Sequence, residues 1–317
     1  MRFLPLFLVM TTFVGCSLVN KTALRTTANV IKEGSDESFT EGNWTFFKDA
    51  MPGNIKLLEG LWFADQSNEN LLGLLIKAHA AYAFVVHETQ ALEAIITDDY
   101  NSTAKEQAIL HYEKAIFYAV KLLEENGISQ EEFFSKEFSL KLPKVFEEKF
   151  DDSHISGLFY FAQALGSSIN LQRNNVVKMS YLSHVKSMLS WVCMRDRDIE
   201  NGSCGLFQSV IEASTPTMLG GSQEKAKKQF LDVIAKQPYN LMARLSLIQY
   251  HLIPMLEEDE FDKEMALLKR DINSWYKGIK DSSQAEKKYS SHREFNLFNA
   301  MAKERFQVIK KIKKEIF

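Results

Sequence analysis

The sequence predicts an all-α protein. Gly and Pro, which end helices and form tight turns, number only 14 and 6 among 317 residues, against a typical usage of about 7% and 5%. Apolar side chains recur at the i, i+3, i+4 spacing of helices along most of the chain, and no run shows the alternation of a half-buried strand. The apolar (45%) and charged (25%) fractions are those of a folded protein. A net charge of −3 gives no electrostatic case for nucleic-acid binding.

Residues 1–15 predict a signal peptide, and residues 16–317 a single all-α domain. The apolar stretch from Phe3 to Val14 has 12 residues, whereas a helix that spans a bilayer needs about 20. Gly15-Cys16 follows it, and this arrangement resembles the lipobox of bacterial lipoproteins, with Phe13 where Leu is usual. The resemblance implies that Cys16 is diacylated and becomes the first residue of the mature chain.

The first half of the mature chain reads as a series of helices. The expected segments are 22–32, 36–51, 55–64, 69–96, 103–125 and a short helix after residue 129. The expected boundary signals are Gly34, Pro52-Gly53, an N-cap at Asn68, capping boxes at Thr103-x-x-Glu106 and Ser129-x-x-Glu132, a stop at Asn126-Gly127 and a break at Pro143.

The second half continues in the same way. The expected helices are 153–171, 176–195, 203–213, 222–236, 240–255, 259–277 and 283–316. Thr215-Pro216 ends one of them, and Gly220-Gly221 predicts a tight turn in which at least one residue has a positive φ. Ser283-x-x-Glu286 predicts a capping box at the start of the last helix.

Two segments resemble the second helix of a tetratricopeptide repeat, which places small, aromatic and Pro residues at fixed offsets. The matching residues are Ala226, Phe230, Val233 and Pro238, and then Ala108, Tyr112 and Ala115 without a Pro. The two units are not separated by a whole number of repeat lengths. The fold expected is therefore a degenerate, tetratricopeptide-like helical repeat domain behind a lipoprotein signal peptide.

Two motifs resemble those of the T component of TRAP transporters, the TatT family. The first is Ala50-Met51-Pro52 followed by Asn54-Ile55-Lys56-Leu57-Leu58-Glu59-Gly60-Leu61, and the second is Pro216-Thr217-Met218-Leu219-Gly220-Gly221-Ser222 with Glu224-Lys225-Ala226 and Phe230. Weaker matches cover 23–34, 72–84 and 160–170. Residues 130–149 and those after 257 depart from the pattern, so any partner contact that the family makes there is not implied for this chain.

The resemblance implies a periplasmic lipoprotein that serves a TRAP uptake system together with the extracytoplasmic solute-binding (P) subunit. It also implies a homo-oligomer, a trimer with a central pore, and clefts that hold a small apolar or organic-acid ligand. Ser17 after the lipidated cysteine favours the outer over the inner membrane. The alternative function is an envelope scaffold that assembles proteins through its tetratricopeptide-like surfaces and takes no small ligand.

No catalytic, cofactor or metal site is expected. His87-Glu88 begins like the helix of a zinc protease, but Ala91 stands where the second histidine ligand belongs. Gly-x-Ser-x-Gly is absent from the sequence. Cys193 and Cys204 flank a turn between two helices, and the sequence leaves two readings open: a disulfide, which the compartment outside the inner membrane allows, or two separate buried thiols.

Aromatic residues are the candidates for a ligand or partner cleft between helix pairs, because helical repeat arrays bind on a concave surface. Most aromatic residues on helices are core residues, and that reading stays open for each one. The candidates are Trp44, Phe47, Tyr82, Phe84, Tyr160, Phe161 and Trp191.

Overall fold

The computed structural model describes residues 21–99, 101–284 and 286–317, and within these ranges it is helical with no β-strand. The predicted signal peptide and the predicted lipidation site, Cys16, lie outside the described residues. The all-α class expected from the sequence is therefore confirmed for the part of the chain that the structure describes.

Twelve α-helices of seven residues or more carry the fold in the described ranges. They are α1 (21–34), α2 (Trp44–Ala64), α3 (Glu69–Tyr82), α4 (Thr103–Glu125), α5 (Phe138–Lys149), α6 (Ile155–Leu171), α7 (Leu182–Arg195), α8 (Ile199–Ser214), α9 (Gln223–Lys236), α10 (Leu241–Leu247), α11 (Glu258–Lys280) and α12 (Asn296–Lys311).

Short segments connect or extend these helices. The short α-helical pieces are Glu88–Gln90, Leu92–Ile96, Gln130–Phe133, Val176–Met179, Lys287–Ser290 and Lys313–Ile316. The 3₁₀ segments are Ser35–Thr40, Asp152–His154, Thr217–Leu219, Ser282–Gln284 and Arg293–Phe295, and two π-helical segments are Ala83–His87 and Ile248–Leu252.

Helix α3 lies at the centre of the first half, packed against α2, α4 and α6. Among the described residues, one helical stretch, Glu69–Gln90, is long and apolar enough to cross a membrane, but 78% of its most apolar window is buried inside the protein. The second half packs α8 on α9, α9 on α10 and α10 on α12. A hydrogen bond joins the first and last parts of the fold: Asn296 Nδ2, at the start of α12, donates to the carbonyl of Thr40, 3.1 Å away.

The expected break at Pro52-Gly53 is wrong, because α2 continues through Pro52. One face of α2 stays buried on both sides of the proline through Phe47, Met51, Ile55 and Leu58. A proline in a helix interior costs about 3 kcal/mol, while burying each such side chain contributes about 1.5–3 kcal/mol. Tertiary packing therefore outweighs the local cost. The expected break at Pro143 is wrong for the same reason, since Phe138, Leu142 and Phe146 are buried along α5.

The single helix expected over 283–316 is also wrong, because this region is divided into several short segments before α12. The predicted capping box does not form. Asp281 captures both the backbone N–H of Ser283 (3.0 Å) and its hydroxyl (2.7 Å), which holds Ser283 in a 3₁₀ turn. The helix expected to open with a cap at Thr103 begins at that residue but is capped by Ser102, whose hydroxyl accepts from the N–H of Lys105.

Candidate ligand-binding site

A pocket between α6, α8 and the ends of α3 and α10 is the candidate site, and we call it the inner pocket. Its walls are mainly apolar, and five of its lining residues are phenylalanines: Phe39, Phe84, Phe159, Phe207 and Phe298. The space open to the centre of a water-sized molecule is about 80 Å³, whereas one water needs roughly 10–15 Å³. The pocket therefore has room for a slender ligand of several heavy atoms.

One side of the inner pocket carries a polar stripe that runs along α6. Gln163, Ser167, Asn170 and Arg173 all line the pocket. The i, i+4, i+7 spacing of the first three places them on one face of α6, and Arg173 lies in the turn that follows Leu171, the last residue of the helix. Arg173 is the only charged residue among the described residues that line this pocket. An apolar pocket with a few polar groups along one wall is typical of small-molecule sites.

The inner pocket is bordered by two further pockets. The outer pocket shares Asn170, Arg173, Ser214 and Tyr250 with it. A pocket beside α2, which we call the α2 pocket, shares Phe39 and Ala81 with it. The inner pocket therefore lies between the α2 pocket on one side and the outer pocket, at the end of α10, on the other.

Two π-helical segments bring residues into the wall of the inner pocket. Ala83–His87 extends α3 and supplies Phe84 and Val85, while Ile248–Leu252 extends α10 and supplies Tyr250. A π-turn inserts one residue into the helical ladder and changes which side chains face a neighbour. Such insertions are not visible in an apolar periodicity, and the sequence analysis missed both.

Arg305 of α12 holds these two π-helical segments together from behind the pocket. Its guanidinium donates to the carbonyl of Phe84 (2.6 Å), to Gln249 Oε1 (3.3 Å) and to Thr89 Oγ1 (2.9 Å), and it lies 4.8 Å from the centre of the Phe84 ring. The side chain of Arg305 is fully buried. Arg305 therefore fixes the position of Phe84 in the pocket wall.

Glu88 compensates the buried charge of Arg305, with 3.7 Å between Oε2 and Nη2. Its Oε1 accepts a 2.5 Å hydrogen bond from the hydroxyl of Tyr112. Burial raises the pKa of Glu88, and the positive charge of Arg305 and the Tyr112 hydroxyl oppose that rise. Burial also raises the pKa of the Tyr112 hydroxyl well above its usual range, with the Glu88 charge adding to it. Glu88 of the His87-Glu88 pair therefore has two structural partners, Arg305 and Tyr112.

A second polar cluster lies where the inner pocket meets the α2 pocket. Glu200 accepts from Lys77 (3.1 Å), Ser156 (2.7 Å) and the hydroxyl of Tyr160 (3.0 Å). Glu200, Asn201 and Gly202 all have positive φ, of 48°, 60° and 75°. Two of these three are not glycine, and such a conformation is held only when surrounding contacts require it.

Three histidines cluster where α3 packs on α4. His79 Nδ1 and His111 Nδ1 are 2.9 Å apart, and the ring of His87 stacks on that of His111 with 5.1 Å between centroids. Burial lowers the pKa of His79 to about 4 and that of His111 to about 3. Among the described residues no group of three or more His, Cys, Asp or Glu side chains is arranged to hold a metal ion.

The seven aromatic candidates do not share one site. Phe84 and Tyr160 line the inner pocket, and Phe47 lines the α2 pocket. Trp44 donates from Nε1 to the carbonyl of Val85 (2.8 Å), and Tyr82 packs edge-on against His87 and His111. Phe161 packs on Phe133 in the core, and Trp191 packs on Phe146 and donates to Glu147 (3.0 Å).

Cys193 of α7 and Cys204 of α8 are joined by a disulfide, with 5.9 Å between their Cα atoms. The disulfide links α7 to α8, a helix that lines the inner pocket. The left-handed residues Glu200 to Gly202 lie between the two cysteines in the sequence. Of the two readings that the sequence left open, the structure therefore has the paired one.

A family model described as TRAP transporter T-component matches residues 42–275. The matched range includes the polar stripe of α6, both π-helical segments, the disulfide and most of the inner pocket. No curated protein matches the chain.

Proposed function

The chain belongs to the TRAP transporter T-component family, and on that premise we propose that it binds a small, mainly apolar solute in the inner pocket. It does so as an accessory protein of a TRAP-type uptake system and acts with the extracytoplasmic solute-binding subunit. The observation that carries the proposal is the pocket itself. Aromatic and aliphatic walls exclude water from an apolar solute, while the polar groups of α6 orient it.

The proposed function includes a lipid anchor at Cys16 on the periplasmic side of the envelope, in the outer rather than the inner membrane. The motivation is the short apolar stretch before Gly15-Cys16. The described chain begins at residue 21 with α1, so few residues separate the proposed anchor from the folded domain. Binding would then take place close to the membrane surface.

We also propose that residues 16–317 form one tetratricopeptide-like domain without enzymatic activity. Ala226, Phe230 and Val233 are buried on α9, which packs against α8, and Pro238 follows the end of α9. Ala108 and Ala115, with Tyr112 between them, are fully buried on α4. Small residues at these positions let paired helices approach closely, which is the packing that the repeat pattern encodes.

The test is a variant that blocks the pocket from its edge. Met179 is half-buried, packs against the rim of the core and lines the inner pocket from the end of the segment Val176–Met179. We expect Met179→Trp to remove the solute that copurifies with the protein, measured by mass spectrometry of an organic extract. The matched control is Met194→Trp, at a methionine that is 71% exposed and does not line the pocket.

Capture of the solute-binding subunit by the immobilised mature domain is the second readout. The proposal fails if wild-type protein carries no extractable solute and Met179→Trp behaves like Met194→Trp in both assays. Capture of the subunit by both variants, with no solute in any sample, would favour the scaffold function instead.

A further inference from the structure

We propose that the end of the molecule at which α2 turns into α3 lies against the lipid bilayer. Three aromatic side chains there, Trp62, Phe63 and Phe117, form what we call the aromatic patch, and they sit among the lipid headgroups. This inference rests on the lipid anchor of the proposed function, and it adds which face of the domain the anchor holds against the membrane.

The aromatic patch is exposed to solvent although its side chains are large and apolar. Phe63, near the end of α2, is 77% exposed, the largest exposed fraction of any phenylalanine in the described ranges, and Phe117 of α4 is 48% exposed. Trp62 is half-buried and packs edge-on against Phe117, with 6.4 Å between ring centroids. Its indole Nε1 donates to the carbonyl of Gln66 at 2.9 Å. Such rings, with an apolar body and a polar tip, are enriched where a bilayer meets water.

The start of α1 lies beside this patch. Arg25 Nε donates to Asp65 Oδ2, 3.2 Å away, in the turn that follows α2, and the carboxylate of Asp65 is buried. Lys21, the first described residue, lies about one helical turn before Arg25. Five residue steps lead from Cys16 to Lys21, and they span at most about 18 Å. A lipid carried by Cys16 therefore enters the bilayer close to the aromatic patch.

The charges beside the patch suit a surface of lipid phosphates. Glu59, about one turn before Phe63, accepts hydrogen bonds from two lysines, Lys56 (2.5 Å) and Lys114 (3.2 Å), so this group of three carries a net positive charge. Lys21 is an exposed cation at the start of α1. Lysines held near a bilayer are attracted to anionic headgroups, and their long stems let the ammonium reach a phosphate while the methylenes stay on apolar surface.

The short tether favours a bilayer over a second protein as the occupant of the patch. Once a lipid on Cys16 is inserted, the patch meets the bilayer at a high effective concentration, because the linker between them is short. The contact then needs little affinity of its own, and it selects one orientation of the domain. The bilayer is also the one surface that the anchor always places within reach.

Photocrosslinking on vesicles tests this orientation. The mature protein is coupled through the Cys16 thiol to a maleimide-headgroup lipid in vesicles of phosphatidylethanolamine and phosphatidylglycerol, while Cys193 and Cys204 are joined in the disulfide and do not compete. The photoreactive residue p-benzoylphenylalanine replaces Phe63 in one sample and, in the other, Met218, which is 90% exposed in the turn between α8 and α9. We expect phospholipid adducts, measured by mass spectrometry, to be at least about tenfold more abundant at position 63.

Two further variants separate contact through the patch from mere closeness to the anchor. Phe117→Asp, made in the protein that carries the probe at position 63, should lower the yield of lipid adduct at least about fivefold, because a carboxylate is costly to desolvate and is repelled by phosphatidylglycerol. Leu110→Asp makes the same change on α4 at a leucine that is also 48% exposed, and it should leave the yield unchanged.

Equal adduct yields at positions 63 and 218, or a yield that Phe117→Asp leaves unchanged, would overturn this inference. A crosslink from position 63 to a second copy of the chain in place of lipid would overturn it as well, because the patch would then be a protein contact. The maleimide supplies the anchor in this assay, so these results leave the proposed function standing. A Cys16 that carries no lipid in cells would overturn both the anchor and this orientation.

Discussion

His79 and His111 meet where α3 packs on α4, and both must stay neutral to remain there. Their Nδ1 atoms are 2.9 Å apart, so one ring donates and the other accepts. Burial is the main cause that lowers both pKa values, to about 4 and about 3, and the charge of Lys114 adds to it. The neighbouring carboxyl group of Glu59 has a lowered pKa of about 2. Burial raises the pKa of Glu59, but hydrogen bonds from Lys56 and Lys114 lower it by more.

The stability of the protein should therefore fall as the pH drops from about 6.5 towards 4. In that window the unfolded histidines, with pKa values near 6.5, bind protons that the folded ones do not, so protons favour the unfolded state. Each histidine contributes a slope of at most about 1.4 kcal/mol per pH unit. We expect His111→Phe, which keeps an aromatic ring against His87, to make this slope shallower in urea unfolding between pH 6.5 and 4. An unchanged slope would contradict the assignment.

At the scale of single residues, the sequence is a good guide to burial. It is a poorer guide to which buried residues line a pocket. Phe84 and Phe161 look alike in an apolar periodicity, yet one lines the inner pocket and the other packs in the core. The difference arises from the π-helical turn at Ala83–His87 and from Arg305, which is 221 positions away from Phe84 in the chain. Neither leaves a local signal. The spacing of Gln163, Ser167 and Asn170 along one face of α6 is the signal that the sequence offers for this pocket.

At the scale of elements, the turn before α9 shows two separate uses of glycine. Gly220 has a φ of 86°, which is the positive φ expected from the sequence. Gly221 needs its missing side chain for another reason, because a Cβ there would lie 1.9 Å from the carbonyl oxygen of Thr215. The turn folds back so closely on the end of α8 that only a residue without a side chain fits.

Gly221→Val should therefore lower the melting temperature strongly, because the turn or the end of α8 must move. Gly34→Ala is the matched control, since nothing lies within 4 Å of a Cβ at this exposed end of α1, where φ is −79°. Alanine is the better helix former by about 1 kcal/mol, so this control should raise the melting temperature slightly. Parallel thermal melts followed by circular dichroism give both values. A normal melting temperature for Gly221→Val would show that the turn is less constrained than its geometry indicates.

Helix termini were predictable where a side chain caps the backbone and were not where packing decides. Asn68 and Ser129 cap α3 and the segment Gln130–Phe133 as expected, each accepting from an N–H three residues later. Pro52 and Pro143 mark no boundary, because buried faces continue through both helices. Local chemistry thus governs the ends of these helices, and tertiary contacts govern their continuity.

At the scale of the whole molecule, the proposed lipid anchor is Cys16, which lies outside the described ranges. We expect Cys16→Ala to abolish acylation, because it removes the sulfur to which we propose that the lipid is attached, and to release the protein from membranes. Metabolic labelling with a fatty acid, followed by fractionation, measures both effects. Cys193→Ala is not a suitable control, since Cys193 is in the disulfide, whereas Ser17→Ala leaves the thiol in place. Label retained on Cys16→Ala would rule out this anchor.

The outer face of α2 carries an apolar stripe that no part of the described chain covers. Phe46 and Leu57 are 62% and 59% exposed, and Gly53, Gly60 and Ala64 are exposed beside them. Spacings of i, i+7, i+11, i+14 and i+18 from Phe46 align these residues along one side of the helix. Small residues between larger ones let a second helix approach closely, and an exposed apolar stripe of this length favours association.

We expect copies of the mature protein to associate through this stripe, in keeping with the homo-oligomer that the family resemblance implies. Leu57→Lys places a charge that would be desolvated at the centre of such an interface, so it should shift the mass measured by light scattering at micromolar concentration towards the monomer. Leu140→Lys makes the same change at a leucine of α5 that is 87% exposed and lies outside the stripe, and it should leave the mass unchanged. A wild-type protein that is monomeric would refute self-association, and an oligomer that survives Leu57→Lys would place the interface elsewhere.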